Sequence, residues 1–202
     1  DFGDNVTIDA GAGNDYISND FGDYVTINTG AGDDTILNWY GDSVSIDAGA
    51  GDDYIDNDGD SVTINTGAGN DLITLNSYYA EYNVILYNEG DGKDKIRGFN
   101  ENDTLKISGS SYSTKKSGNN IIFTVGKGSV TVKKGKNQDI TIIDSRGVES
   151  VYSSANEKFS LNSAGTAIEL FEAYTENTFD AADYSKLKNI DASAVQDDLE
   201  IL

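Results

Sequence analysis

Five aspartates close short glycine-rich segments at a near-constant interval. They are Asp15, Asp34, Asp53 and Asp71, ending Gly11-Ala12-Gly13-Asn14-Asp15, Gly30-Ala31-Gly32-Asp33-Asp34, Gly49-Ala50-Gly51-Asp52-Asp53 and Gly67-Ala68-Gly69-Asn70-Asp71, and Asp94, ending the degenerate Gly90-Asp91-Gly92-Lys93-Asp94. The first four recur after 19, 19 and 18 residues and the fifth after 23. Carboxylates beside glycine turns suit two chemistries: acid–base work by paired carboxylates, or coordination of a hard cation by carboxylate and carbonyl oxygens. The chain has no His, Cys or Met. That excludes imidazole and thiolate metal sites, disulfides, and Cys or Ser-His nucleophiles. Neighbouring pairs such as Asp33-Asp34 have no cleft residues of other types around them, so no enzyme activity is expected.

The charge points the same way. The 202 residues carry 35 acids against 14 bases, a net of -21. Residues 1–92 hold 19 of the acids and no base; residues 93–146 hold 5 acids and 11 bases; residues 147–202 hold 11 acids and 3 bases. Three segments are expected on this basis: 1–92, 93–146 as a β-rich continuation or cap, and 147–202 as a C-terminal segment that could lead into another repeat array. Such acidity argues against nucleic acid or an anionic membrane as partner. No apolar run is long enough to insert in a membrane.

The elements that position the aspartates follow from the apolar pattern. Ile8, Ile17, Ile27, Ile36, Ile46, Ile55, Ile64 and Ile73 stand 9 or 10 residues apart, and Val6, Val25, Val44 and Val62 lie two residues before every second one. Each unit reads as two short alternating strands joined by two glycine-rich turns. Stacked coils of about 18–19 residues make a parallel β-roll, an all-β solenoid that puts equivalent positions roughly 4.8 Å apart. Two carboxylates about 5 Å apart repel by about 3 kcal/mol at an effective dielectric of about 20. With no base in the segment, cations must sit between the rungs. Calcium fits best, taking six to eight oxygens, whereas magnesium demands stricter octahedral geometry and zinc lacks its N and S ligands.

The segment from Ala10 to Ser18, and those beginning at Thr29, Ala48 and Thr66, resemble the nonapeptide G-G-x-G-x-D-x-U-x of RTX, or hemolysin-type, calcium-binding repeats. Gly90–Ile96, with Phe99 and Asp103-Thr104-Leu105, is similar to the way such arrays end, so the resemblance covers roughly residues 1–105. It implies several calcium ions stacked between adjacent coils, held by Asp15, Asp34, Asp53, Asp71 and Asp94 with the turn glycines 11, 13, 30, 32, 49, 51, 67, 69, 90 and 92. The first motif glycine is Ala or Thr in all four full copies, and Val25, Val44 and Val62 stand where the alternate half-units of the family carry Asp. A full row is thus implied on one edge only; Asp20, Asp23, Asp42, Asp58 and Asp60 could form a second, irregular row.

The resemblance implies a calcium-binding structural module of a large bacterial protein, extracellular or on the cell surface, adhesin-like and exported by type I secretion. The alternatives are a non-catalytic domain of a secreted exoenzyme, or an ice- or ligand-binding face carried by Thr7, Thr26, Ser45 and Thr63 with Asp9, Asn28, Asp47 and Asn65. The expected partners are calcium and other repeats of the same parent chain; no surface or carbohydrate ligand is specified. Asp1-Phe2-Gly3-Asp4 matches Asp20-Phe21-Gly22-Asp23, so a segment of a longer repeat protein is expected.

Beyond the repeat, Asn83–Tyr87, Thr104–Ser108, Ile121–Val125, Ser129–Lys133 and Ile140–Ile143 read as strands, with a hairpin turn at Gly126-Lys127-Gly128. The lysines at 115, 116, 127, 133, 134 and 136 read as solvated or paired with acidic neighbours. Ala167–Tyr174 and Ala181–Leu187 read as short helices, and Asn189–Ser193 and Leu199–Leu202 as strands, giving a small mixed C-terminal segment.

Overall fold

A computed structural model describes residues 3–76, 80–109, 112–135 and 139–153, and beyond them the backbone of five short strands. The chain winds as a parallel β-solenoid. One sheet contains β1 (Thr7–Asp9), β3 (Thr26–Asn28), β5 (Ser45–Asp47), β7 (Thr63–Asn65), β9 (Val84–Asn88), β11 (Thr104–Ser108), β15 (Asp139–Ile143) and β16 (Glu149–Ser153), in that spatial order. The facing sheet runs from β2 (Tyr16–Asp20) through β4 (Thr35–Trp39), β6 (Tyr54–Asn57), β8 (Leu72–Leu75), β10 (Lys93–Arg97), β14 (Gly128–Val132) and β13 (Asn120–Val125) to β12 (Tyr112–Ser117).

Register is set by the isoleucines. Ile8, Ile27, Ile46, Ile64 and Ile85 pair in line across the first sheet, and Ile17, Ile36, Ile55, Ile73 and Ile96 across the second. Slipping any strand by one residue would turn its isoleucine to solvent, at about 1.5–3 kcal/mol each. Val25, Val44 and Val62 complete the buried layer. Ile8 and Ile17, in the first coil, are only partly buried.

The ladders cross the change of composition at residue 92 without a break: β8 pairs with β10, β10 with β14, and β9 with β11, all parallel. The strands expected in 77–146 form within a residue or two of their expected bounds. The hairpin joins β13 to β14 through Gly126, at φ 57°, and Lys127. Lys115, Lys116, Lys127 and Lys134 are exposed.

The helix expected over Ala167–Tyr174 is not formed at its start: Ala167–Leu170 is β18, paired antiparallel with β17 (Phe159–Leu161) and parallel with β20 (Asn189–Asp191). Ala-Ile-Glu-Leu is tolerated by either state, and pairing on both sides decides for strand. The helix expected over Ala181–Leu187 lies outside the described residues. β19 (Thr178–Phe179) pairs with β21 (Glu200–Ile201). No described helix is long and apolar enough to cross a membrane.

Candidate metal centre

Each coil turns at two edges. The first edge is built from the Gly-Ala-Gly segments, whose alanines stack by isolated bridges from Ala12 to Ala31, Ala50 and Ala68. Glycine is required here for two reasons, best seen at Gly49. Its φ is 99°, and a Cβ placed on it would lie 2.0 Å from the carbonyl oxygen of Gly30 in the coil below. The same contact recurs up the edge, so the carbonyls of Gly11, Gly13, Gly30, Gly32, Gly49, Gly51 and Gly69 each stand where the next coil's turn has no side chain. Gly49→Ala is therefore expected to cost more than about 2 kcal/mol and to lower the melting temperature whatever the calcium level. Differential scanning calorimetry checks it.

The row of aspartates sits immediately after these turns. Asp34, Asp53, Asp71 and Asp94 are buried and Asp15 partly so. One carboxylate oxygen of Asp34, Asp53, Asp71 and Asp94 is used by the neighbouring coil. The backbone N–H of Asp15 donates to Asp34 Oδ1 at 2.7 Å, that of Asp34 to Asp53 Oδ1 at 2.8 Å, that of Asp53 to Asp71 Oδ1 at 2.8 Å, and that of Asp71 to Asp94 Oδ1 at 3.2 Å. The other oxygen, Oδ2, of Asp15, Asp34, Asp53 and Asp71 is buried with no hydrogen-bond partner. Only Asp94 differs, its Oδ2 taking the hydroxyl of Thr66 at 3.4 Å. Four orphaned carboxylate oxygens in a segment without a base are far more than a native interior normally leaves.

Electrostatics follow from that burial. Loss of solvent pushes the Asp53 carboxyl up to about 6 despite the N–H of Asp34, with the charges of Asp71, Asp34 and Asp33 adding to the rise. Asp94 is pushed up to about 8 by burial first and by Asp71 and Asp91 next, and Asp71 is raised for the same leading reason. A raised folded value means that the ion-free roll holds protons the unfolded chain has already released. Its stability is fullest below about 4 and is lost as pH rises through about 6 to 8. A cation entering an already folded ion-free roll displaces those protons, so for the fraction folded before binding the calcium midpoint is expected to fall as pH goes from 6 to 8, with protons released on binding; chain that is unfolded before binding has already lost them and releases none. Calcium titrations at three pH values, with calorimetry in buffers of different ionisation enthalpy, measure both.

The donor set fits a hard divalent cation: oxygen only, carboxylate and backbone carbonyl, in a cradle that a Cβ would fill. Among the described residues no three carboxylates converge on a point. They are strung in a row, so an ion there would be held by two successive aspartates and complete its shell from the turn carbonyls. In the fifth copy Asp91 turns back, its Oδ2 accepting from the N–H of Asn88 at 2.6 Å, and Gly92 continues the edge by bridging to Gly69. Thr66 and Asp91 were not among the residues expected at the site; both stand at motif positions whose residue type changes from copy to copy, so repetition gives them no signal.

The second edge is built differently. Its interior holds a ladder of buried asparagines: Asn19 Nδ2 donates to Asn38 Oδ1 at 2.7 Å, Asn38 Nδ2 to Asn57 Oδ1 at 2.7 Å, and Asn57 Nδ2 to Asn83 Oδ1 at 3.4 Å. Each of the first three also donates to a turn carbonyl, of Gly22, Gly41 and Gly59 respectively. Asp103 ends the ladder, accepting from the N–H and amide of Asn83 and from the N–H of Asn100. The aspartates suggested for a second row lie outside this neutral interior. Asp23, Asp42 and Asp60 are at the surface, Asp23 Oδ1 and Asp42 Oδ1 each accepting an N–H of the next coil and Asp60 Oδ1 accepting that of Glu81. Asp20 accepts from the Ser18 hydroxyl, and Asp58 follows β6, its N–H donating to the Asn38 carbonyl at 2.9 Å.

On the outer face of the first sheet, Thr7, Thr26, Ser45 and Thr63 stand in register, with Asp9, Asn28, Asp47 and Asn65 two residues on. The hydroxyl row is interrupted by Val84, which pairs with Thr63 and Thr104.

No protein-family model matches the chain, and no curated protein matches it. Among solved structures, the extracellular lipase LipA from Serratia marcescens aligns with 65% of this chain at 13% identity and a TM-score of 0.29. The alignment spans 36% of the lipase chain.

Proposed function

We propose that residues 1–92 are a calcium-binding structural module of the RTX type. The observation that carries this reading is the line of buried, unpartnered Oδ2 atoms of Asp15, Asp34, Asp53 and Asp71 in a stretch that has 19 acids and no base. These four aspartates, with the carbonyls of the first-edge glycines, would hold the ions, and Asp94 would close the row. Bound calcium supplies positive charge between coils whose carboxylates otherwise repel. Asp34, Asp53 and Asp71 keep Oδ1 on the neighbouring backbone N–H and leave Oδ2 for a cation, and the glycine turns carry their carbonyls along the same edge.

Folding and binding are then one process. In low calcium the acidic chain stays unfolded, and at millimolar calcium it winds up coil by coil. That suits a secreted or cell-surface protein exported unfolded, with this module as an adhesin-like spacer or as the non-catalytic part of an exoenzyme. The deciding experiment is circular dichroism over a calcium titration from excess chelator. A strong rise in β-signal with calcium, not reproduced by magnesium, is expected. A full β-spectrum in chelator would remove the proposal.

A further inference from the structure

The surface of the second edge carries a feature the metal reading leaves unused. Four aromatic rings of the first two coils stand at this turn and remain largely in solvent: Phe21 at 54% exposure, Tyr24 at 63%, Trp39 at 43% and Tyr40 at 42%. Phe21 and Tyr40 occupy equivalent turn positions, since Asp20 pairs with Trp39 in the strands just before them. Their rings stack, with centroids 5.3 Å apart and planes 21° from parallel.

The turn itself does not need these residues. Phe21 and Tyr40 both take left-handed backbone, at φ 64° and 58°, a conformation that costs a bulky L-residue about 1–2 kcal/mol. The third coil shows the cheaper solution. Asn38 and Asn57 are in register, yet two residues separate Asn38 from Gly41 and only one, Asp58, separates Asn57 from Gly59. Asn57 still donates to the Gly59 carbonyl as Asn38 does to that of Gly41. The extra residue can be omitted with the turn kept, so Phe21 and Tyr40 serve the stack between coils and the surface it presents rather than the turn itself.

The surroundings name the chemistry. Asp20, Asp23, Asp42 and Asp58 lie within the same turns, and residues 1–92 contain no Lys or Arg to neutralise them. Ring faces and carboxylates together attract one kind of group. A guanidinium stacks flat on an aromatic ring while its N–H groups reach a carboxylate, and residues 1–92 hold no Lys or Arg side chain to compete with it. A neutral sugar would use the rings but gain nothing from the uncompensated charge.

We propose that the aromatic and acidic turn formed by Phe21, Tyr24, Trp39 and Tyr40 is a docking surface for an arginine-rich peptide segment of a partner protein. It stands independently of what fills the first edge.

Trp39 is the chain's one tryptophan, and it reports on the patch directly. The full chain in millimolar calcium is titrated with a synthetic Arg-Gly repeat peptide and, separately, with neutral maltodextrin. A saturable change in Trp39 fluorescence with the peptide alone is expected. Phe21→Asn and Tyr40→Asn keep a residue that tolerates left-handed backbone, and each should weaken binding about tenfold. Asp47→Asn, on the outer face of the first sheet, removes one charge elsewhere and should leave binding within about twofold. Unchanged affinity in both aromatic variants would mean diffuse attraction to an acidic roll and would overturn the proposal, as would saturation by maltodextrin without saturation by the peptide. Amide shifts mapped on the unmodified chain give a reading that needs no variant: they should cluster in residues 20–24 and 39–42, and a spread along both edges would count against it.

Discussion

Asp53→Asn is expected to act with opposite signs in the absence and presence of calcium. Asparagine keeps an Oδ1 to accept the N–H of Asp34, so the coil-to-coil hydrogen bond survives. What disappears is a buried negative charge flanked by those of Asp34 and Asp71. In chelator at neutral pH, any folded fraction should gain about 1–3 kcal/mol from lost repulsion. In calcium the same change removes a charged ligand shared by two successive inter-coil positions, and the calcium midpoint should rise about tenfold or more. Asp33→Asn supplies the comparison. Asp33 is one residue away and its Oδ1 takes the N–H of Asp52 at the surface, so neither effect should exceed a fraction of that seen at Asp53. Thermal melts followed by circular dichroism in chelator and in calcium measure both arms. A variant that is destabilised in both would show that Asp53 is a structural acceptor rather than a cation ligand.

The second large effect belongs to the other edge. Asn38→Ala deletes one side chain and breaks three hydrogen bonds: the one it accepts from Asn19, and those it donates to Asn57 and to the Gly41 carbonyl. All three partners are left without that contact in a dry interior. At about 1–2 kcal/mol for each such group the loss should be roughly 3–6 kcal/mol. Calcium should not restore it, because the ladder is neutral and lies on the opposite edge from the aspartate row. Asn38→Asp should be at least as harmful, since it puts a charge where only amides can answer it. Urea denaturation in saturating calcium gives the number. A loss under about 1 kcal/mol would mean that water replaces the amide, and the ladder would not be structural.

The aspartate edge was legible in the sequence because repetition amplifies it. One Gly-x-Gly-x-Asp says little, but four in step with an alternating Val-x-Ile background determine coil length, strand parity and which carboxylates face inward. The asparagine edge was equally periodic and was overlooked. Asn19, Asn38 and Asn57 each follow an inward isoleucine by two residues, at Ile17, Ile36 and Ile55. Strand parity alone places them in the core. They escaped because a polar residue in a glycine-rich chain reads as surface, whereas a stack of identical amides satisfies its own hydrogen bonds and can be buried at little cost. β12 was missed for the converse reason. Tyr-Ser-Thr-Lys-Lys-Ser has no apolar alternation, and it is held as an edge strand by its antiparallel pairing with β13 rather than by burial. At Ala167–Leu170 local composition favoured a helix and partner strands decided otherwise.

The amide ladder also has a mechanical meaning. Its links join each coil to the next in single file, so a pull along the solenoid axis loads them in series, and the strength of a series is that of its weakest member. The links from Asn19 to Asn38 and from Asn38 to Asn57 are 2.7 Å long; the link from Asn57 to Asn83 is 3.4 Å. Under tension the amide ladder should therefore part first between Asn57 and Asn83, leaving the pairing of β6 with β8 and of β7 with β9 to hold the fourth coil. Adding further coils of the same kind would lengthen such a rod without strengthening it.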